Sequence, residues 1–173
     1  MTGSREWLNA LPALEIEYNI NMVVTEQEYL IRLGLSMMCG GLLGLERQVT
    51  QHPAGLRTLI LVCMGSTLVV LTDIYLQITF KTNDSFRLTA QVVTGIGFLG
   101  AGAIIQTKSA VKGLTTAATV WFTAAVGLAI GAGFYVVGII ATVSALITLY
   151  LLAWIERYLP SEEKGRQDKD TKG

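Results

Sequence analysis

The sequence predicts an all-α, polytopic membrane protein with about five transmembrane helices, on three observations. Charged residues make up 15% of the 173-residue chain, well under the roughly 25% usual in soluble domains. No charged side chain lies between Gly113 and Ile155, and none between Leu88 and Thr107. At about 20 apolar residues per span, the first stretch is long enough for two spans and the second for one. Hydrophobic residues reach 51% and the formal net charge is zero, so bulk attraction to nucleic acid is not implied.

In chain order, residues 1–27 form an N-terminal extracytoplasmic segment. Within it Trp7, Leu11, Leu14 and Tyr18 recur at helical spacing, the pattern of an interfacial amphipathic helix, with Pro12 against it. Residues 28–155 form the transmembrane domain. Its spans are expected at about Glu28–Leu45, Ala54–Phe80, Arg87–Gln106, Gly113–Ala132 and Tyr135–Ile155. Arg32 lies inside the first, near an end from which an arginine can snorkel to the interface. A tight turn near Gly131–Phe134 joins the last two. Residues 156–173, ending SEEKGRQDKDTKG, form a polar tail expected to be disordered.

The lysines and arginines orient the spans. Five spans place Arg47, Arg57, Lys108, Lys112 and the basic tail on one side, and only Arg5, Arg32, Lys81 and Arg87 on the other. The richer side is expected to be cytoplasmic, which puts the N-terminus outside and the C-terminus inside.

The order of motifs also repeats. Ile31-Arg32-Leu33, Gly41-Leu-Leu-Gly44 and Gly55-Leu-Arg57-Thr58 are echoed by Phe86-Arg87-Leu88, Gly97-Phe-Leu-Gly100 and Gly113-Leu-Thr115-Thr116. Two helical hairpins of this kind, followed by a fifth helix, fit a parallel repeat about an axis along the membrane normal. Chance similarity among glycine- and leucine-rich spans is the alternative.

Residues 95–100 spell G-x-G-x-x-G, the spacing of a dinucleotide-binding turn. That reading requires a soluble βαβ unit and an acidic residue about 20 positions further on. No Asp or Glu occurs between Phe86 and Ile155, so no cofactor is expected. Helix packing is the competing reading, because small residues let lipid-embedded helices approach closely. It takes in Gly40 and Gly44 in the first span, Gly95, Gly97, Gly100 and Gly102 in the third, and Gly127 and Gly131 in the fourth. Substituting Gly97 or Gly100 by leucine is expected to force helices apart. So many glycines in the third span also permit a kink near Gly95–Gly97.

The charges sort into two clusters. Asp73 follows Arg57 by sixteen positions, roughly 24 Å along a helix, so the two belong to opposite faces. One cluster holds Glu46, Arg47, Arg57, Lys108 and Lys112, and adjoining helix ends there suit a carboxylate–guanidinium pair. The other holds Arg32, Asp73, Lys81, Asp84 and Arg87. Asp73 is an acid inside an apolar segment, a functional candidate by default, with Arg87 or Arg32 as its expected partner. A structural ion pair and a proton or cation relay both remain open for it. Cys39 and Cys63 read as buried thiols. With one histidine and neither G-x-S-x-G nor H-E-x-x-H, an enzyme is not expected.

The blocks GLERQ (44–48), AGLRT (54–58), R-x-x-AQVVTGIGFLGAG (87–102) and GLTTAAT-x-W (113–121) closely resemble the MgtC/SapB family of bacterial inner-membrane proteins, over roughly residues 28–155. The resemblance implies a membrane protein linked to growth under magnesium limitation and, in pathogens, to virulence-type survival inside host cells. It implies a non-enzymatic regulator of ion homeostasis or of another membrane protein, inhibition of the F-type ATP synthase having been proposed for some members. A cation (magnesium) channel or transporter is the alternative. Many members carry a soluble C-terminal α/β domain, whereas about 18 residues follow Ile155 in this sequence; function lodged in that domain does not carry over. The expected partners are the lipid bilayer, further copies of the chain in a homo-oligomer, and a membrane protein such as the ATP synthase.

Overall fold

A computed structural model describes residues 25–81, 86–107 and 110–156. The expected N-terminal interfacial helix, the tail, Asp84 and Lys108 lie outside them. Five helices form: α1 (Glu26–Val49), α2 (Leu56–Phe80), α3 (Arg87–Gly102), α4 (Leu114–Gly131) and α5 (Tyr135–Glu156). Three of them, α1, α2 and α4, are long and apolar enough to cross a membrane; α5 is apolar over Tyr135–Leu151.

Local chemistry sets the ends. The Thr25 hydroxyl accepts the Glu28 amide at 3.4 Å and opens α1, whose first turn carries Glu26 and Glu28 and whose last carries Arg47. Those signs match the helix dipole. The Gln48 side-chain oxygen accepts the Leu56 amide at 3.3 Å and opens α2, where Gly55 has no side chain to do so. The expected span at Arg87–Gln106 is corrected: α3 stops at Gly102, and Ile105–Gln106 (β1) pairs antiparallel with Val111–Lys112 (β2). Before the stop, the amides of Ala103 and Ile104 bond the carbonyls of Gly100 and Ala101 at 3.0 and 3.1 Å. These tighter i to i−3 bonds close a helix end whose glycines favour helix poorly. The hairpin returns through Gly113 at φ 89°, where a Cβ would collide with the Ala103 carbonyl. Gly133, also at φ 89°, makes the turn between α4 and α5.

α2 and α4 form a parallel central pair. Gly127 of α4 lies against Cys63 and Ser66 of α2, and Gly131 lies against Thr67 and Val70. α1 packs antiparallel on α2, with Gly40 against Leu59 and Cys63 and Gly44 against Leu56. α3 meets α4 through Gly100 and Ala117, and α5 meets α4 through Gly138 and Ile130.

The interior is polar by the standard of a soluble core. Ser36, Ser66, Thr67, Thr116, Thr119, Thr123 and Thr142 are buried beside Leu43, Leu59 and Ile130. Large apolar side chains lie outside, Leu30 at 73% and Phe98 at 82% exposure among them. Most buried hydroxyls donate to a carbonyl one turn back in their own helix: Ser66 to Val62, Thr119 to Thr115, Thr123 to Thr119 and Thr142 to Gly138, all at 2.7–2.8 Å. Such bonds let hydroxyls sit where water cannot reach. Thr67 instead crosses from α2 to the Gly127 carbonyl of α4 at 2.8 Å. An apolar exterior around hydroxyl-rich helix seams is the arrangement a lipid solvent selects.

The glycine run needs a correction. Gly40, Gly44 and Gly127 stand at backbone contacts closer than any Cβ would permit, and Gly131 stands as close to the Cβ of Val70. Gly100 is in ordinary contact with Ala117, at 3.7–3.8 Å from the position of its absent Cβ. A Cβ on Gly95, Gly97 or Gly102 would meet nothing within 4 Å. The buried stripe of α3 is Ile96 and Gly100. Residues 95 and 97 point about 100° to either side of Ile96 at 3.6 residues per turn, so they leave the seam with α4. α3 also runs as continuous helix through Gly95–Gly97, without the non-helical stretch that its glycines permit. Glycine allows a break without compelling one, and in lipid an opened backbone bond has no water to replace it.

Candidate functional site

The two expected charge clusters occupy opposite ends of the bundle. At the end where α1 finishes and α2 and α4 begin, Arg47 is 1% exposed. It reaches from α1 across to α4 and donates from Nη2 to the Thr116 hydroxyl at 2.6 Å. Its Nε is buried without a hydrogen-bond partner, as is Oε2 of the adjacent Glu46. Arg57 is exposed on α2, and Lys112 is exposed on β2. A Glu46–Arg57 ion pair does not form: among the described residues the one ion pair within 4 Å joins Arg32 and Glu28. Arg57 is exposed on α2, whereas Oε2 of Glu46 is buried.

His52 lies in the loop between α1 and α2, with Nδ1 2.7 Å from the Thr50 hydroxyl. Desolvation against the end of α1 and the Arg47 charge lower its pKa below the ordinary histidine value, with Glu46 opposing.

At the far end Arg32 is 7% exposed. Its guanidinium donates to the Gly131 carbonyl at 2.7 Å, the Tyr135 hydroxyl at 3.1 Å and Glu28 Oε2 at 3.2 Å. Its charge also lies 5.9 Å from the centre of the Tyr135 ring. Gly131 ends α4, so its carbonyl lacks an intrahelical donor, and Arg32 supplies one.

Asp73 is 4% exposed. Its Oδ2 accepts from the Thr89 amide at 3.1 Å and from the Thr89 hydroxyl at 2.9 Å. Its hydrogen-bond partner is therefore Thr89, two residues into α3 from Arg87. α3 opens at Phe86 with no side-chain cap of its own, and the Asp73 carboxylate fills that role from α2. An anion beside the first amides of a helix is favoured by both the free donors and the dipole. Gln77, one turn beyond Asp73, has a buried Nε2 without a partner.

The structure thus assigns cross-helix caps to Arg32, Asp73 and Gln48. The sequence reading missed Glu28 and Tyr135 as partners of Arg32. Glu28 precedes Arg32 by one turn, a spacing that signals an ion pair; Tyr135 is distant in sequence and carried no such signal. No group of three or more His, Cys, Asp or Glu side chains suited to a metal ion occurs among the described residues. Among the described residues the buried side-chain atoms without a hydrogen-bond partner are Glu46 Oε2, Arg47 Nε and Gln77 Nε2.

Comparison with known proteins falls on the same blocks. The MgtC family model matches residues 33–158. YhiD of Escherichia coli K12, named as a candidate magnesium transporter, is 44% identical over 127 residues, covering 70% of this chain and 59% of its own length. Protein MgtC of Salmonella typhimurium LT2 is 40% identical over 124 residues, covering 72% of this chain and 52% of its own. Protein SapB of Bacillus subtilis is 34% identical over 151 residues, covering 84% of this chain and 64% of its own. The chain thus spans between half and two thirds of the length of these relatives. No solved structure matches it significantly.

Proposed function

The chain belongs to the MgtC family, and from that premise we propose that it is a non-enzymatic regulator in the bacterial inner membrane. It acts on ion homeostasis or on another membrane protein such as the F-type ATP synthase, as part of adaptation to magnesium limitation and virulence-type survival. Its N-terminus faces outward and its C-terminus the cytoplasm, which leaves Glu46, Arg47 and Arg57 on the cytoplasmic side for a partner. Gly97 and Gly102, which face open space within the chain, support a homo-oligomer as the assembled form, because small residues let helices of two copies approach closely.

The observation that carries this reading is how the polar groups are spent. The Thr67, Thr123 and Thr142 hydroxyls are buried at mid-bundle and each already donates to a helix carbonyl. A conduction path needs such groups turned toward water. The unspent atoms Glu46 Oε2 and Arg47 Nε instead lie buried at one end, beside the exposed Arg57 that a partner protein can reach.

The second reading, a cation transporter, rests on the buried Asp73 carboxylate with the unpartnered Gln77 amide one turn away. Magnesium flux into liposomes holding the purified chain separates the two. A regulator gives no saturable uptake above protein-free liposomes, and it lowers ATP-driven proton pumping when reconstituted with the ATP synthase. Saturable uptake abolished by Asp73→Asn establishes the transporter instead.

A further inference from the structure

Where α3 diverges from α2, a groove of about 600 Å³ opens between them. Leu61, Val69, Val92 and Leu99 wall it, together with Gly65 and Gly95, whose missing side chains leave open space. At one end the lining changes to Arg57 and Thr58. Both are exposed, and neither side chain has a hydrogen-bond or ion-pair partner among the described residues. The groove is therefore apolar along its length and cationic at its mouth.

We propose that this groove binds one anionic phospholipid, with its phosphate on Arg57 and Thr58 and one acyl chain lying along α2 past Gly65 to Val69. Length selects this occupant. Arg57 and Val69 are twelve positions apart on one helix, roughly 18 Å, a little over half of the ~30 Å hydrocarbon core. That is the reach of a chain from a single leaflet. A second copy's transmembrane helix would need an apolar wall across the whole core. Charge argues further for the lipid, because Arg57 at the mouth has no partner among the described residues. Beyond Val69 and Val92 the wall passes into a separate, smaller hollow of about 350 Å³ lined by Leu88, Thr72 and Gln91.

Charge selects the head group. An exposed guanidinium offers a planar fork that grips phosphate through paired hydrogen bonds, with the Thr58 hydroxyl alongside as a further donor. A zwitterionic lipid brings its own ammonium, which competes for the same phosphate; an anionic lipid does not. The chain itself fits because dispersion contacts are forfeited wherever a cleft between helices is left unfilled. The proposal holds for a regulator or a transporter alike, since it concerns the lipid-facing side of α2 and α3.

Native mass spectrometry of the full chain in detergent, titrated with phosphatidylglycerol or phosphatidylcholine, tests it. The expected result is one retained phosphatidylglycerol per protomer in preference to phosphatidylcholine. Arg57→Gln lowers phosphatidylglycerol affinity about tenfold, the loss expected for one charge-assisted hydrogen bond, and removes the preference. Gly95→Leu occupies the groove and lowers the affinity for both lipids. Gly95 faces open space, so this variant keeps the parent's helicity and thermal stability, both measured in the same samples. Equal binding of the two lipids by the parent, unchanged binding by Arg57→Gln, or unchanged binding by Gly95→Leu each overturns the proposal. A change of oligomer mass in Gly95→Leu with lipid adducts intact assigns the groove to a second copy instead.

Discussion

Gly127 and Gly95 are both helical glycines in apolar helices, and the structure gives them opposite fates on substitution by alanine. A Cβ on Gly127 would overlap the carbonyl oxygen of Cys63 and stand 2.9 Å from Ser66 Cβ and 3.0 Å from the Cys63 carbonyl carbon. Two of these three neighbours are α2 backbone, so no side chain can swing aside and α2 and α4 must separate. Overpacking of this kind costs about 1–3 kcal/mol. Separation also stretches the bond from Thr67 to the Gly127 carbonyl, 2.8 Å in the native packing, a further ~0.6 kcal/mol for an interhelical bond in a membrane. Replacing a helical glycine returns about 0.5–1 kcal/mol of backbone entropy. The net expectation for Gly127→Ala is a loss of about 1–3 kcal/mol. For Gly95→Ala only the entropy remains, because a Cβ there meets nothing within 4 Å, and the expected change is a gain of about 0.5–1 kcal/mol. SDS-induced unfolding in mixed micelles, followed by far-UV circular dichroism, reads both. Equal shifts for the two variants, or a larger loss for Gly95→Ala, would refute the assignment of Gly127 to the α2–α4 seam and of Gly95 to the groove.

Three other outcomes are expected. Thr116→Val removes the acceptor that Arg47 Nη2 reaches at 2.6 Å, leaves a buried charge under-bonded and costs about 1–3 kcal/mol; in the same unfolding assay Arg47→Met should recover part of that loss in the double variant, and strict additivity would show that the two do not interact. Asp73→Asn and Thr89→Val should each destabilise by about 1–2 kcal/mol and be non-additive, since both bonds to Oδ2 come from Thr89, with a double-variant cycle as the check. His52 should titrate below 6.5 by NMR, where burial and Arg47 hold it; the depressed folded-state pKa means that protonation disfavours the folded loop, so its contribution is intact above pH 6.5 and is lost as pH falls through the folded pKa, a dependence that His52→Gln should abolish.

The helices were legible because lipid imposes one rule throughout: a long charge-free stretch must be helical. α1, α2, α4 and α5 fall within a few residues of the expected spans for that reason. The end of α3 was not legible. Ile104, Ile105 and Val111 are as apolar as the helix before them, and only the backbone collision at Gly113 shows why the chain turns into a hairpin there. The glycine run misled because its spelling drew attention to residues 95 and 97. The internal match of Gly44 with Gly100 sets Gly40 opposite Ile96, and Ile96 with Gly100 is the stripe that α3 buries. That signal was present in the sequence, in the repeat rather than in the motif. The Thr89 partner of Asp73 and the Gly131 partner of Arg32 were hidden for another reason: charge pattern points to opposite charges, whereas unpaired helix ends attract charges too.

Those end contacts bear directly on whether the hairpins are related. The sequence match sets Arg57 against Thr115, and counting sixteen residues onward from each sets Asp73 against Gly131. In one half, the beginning of α1 is tied to the end of α4 by Arg32 bonding the Gly131 carbonyl. In the other, the beginning of α3 is tied to the end of α2 by Asp73 bonding Thr89, two residues past Arg87. The seams α1–α4 and α3–α2 exchange under the same match, with the parallel pair α2 and α4 between them, which is the neighbour pattern that a two-fold axis along the bundle produces. The chemistry at the two seams differs because the residue at the matched position differs. A bare carbonyl at Gly131 recruits a cation from α1, while a carboxylate at Asp73 recruits the free amides of α3. Each solution satisfies a helix end that no side chain of its own helix caps. Exchanging the two devices therefore tests their equivalence directly. Thr89→Arg should leave α3 anchored to Asp73 through an ion pair, with stability near the parent's in the unfolding assay. Thr89→Leu, which keeps the bulk and removes the hydroxyl, should lose about 1 kcal/mol. If Thr89→Arg unfolds more readily than Thr89→Leu, a cation does not replace the Thr89 donors at Asp73 and the two end contacts are not interchangeable.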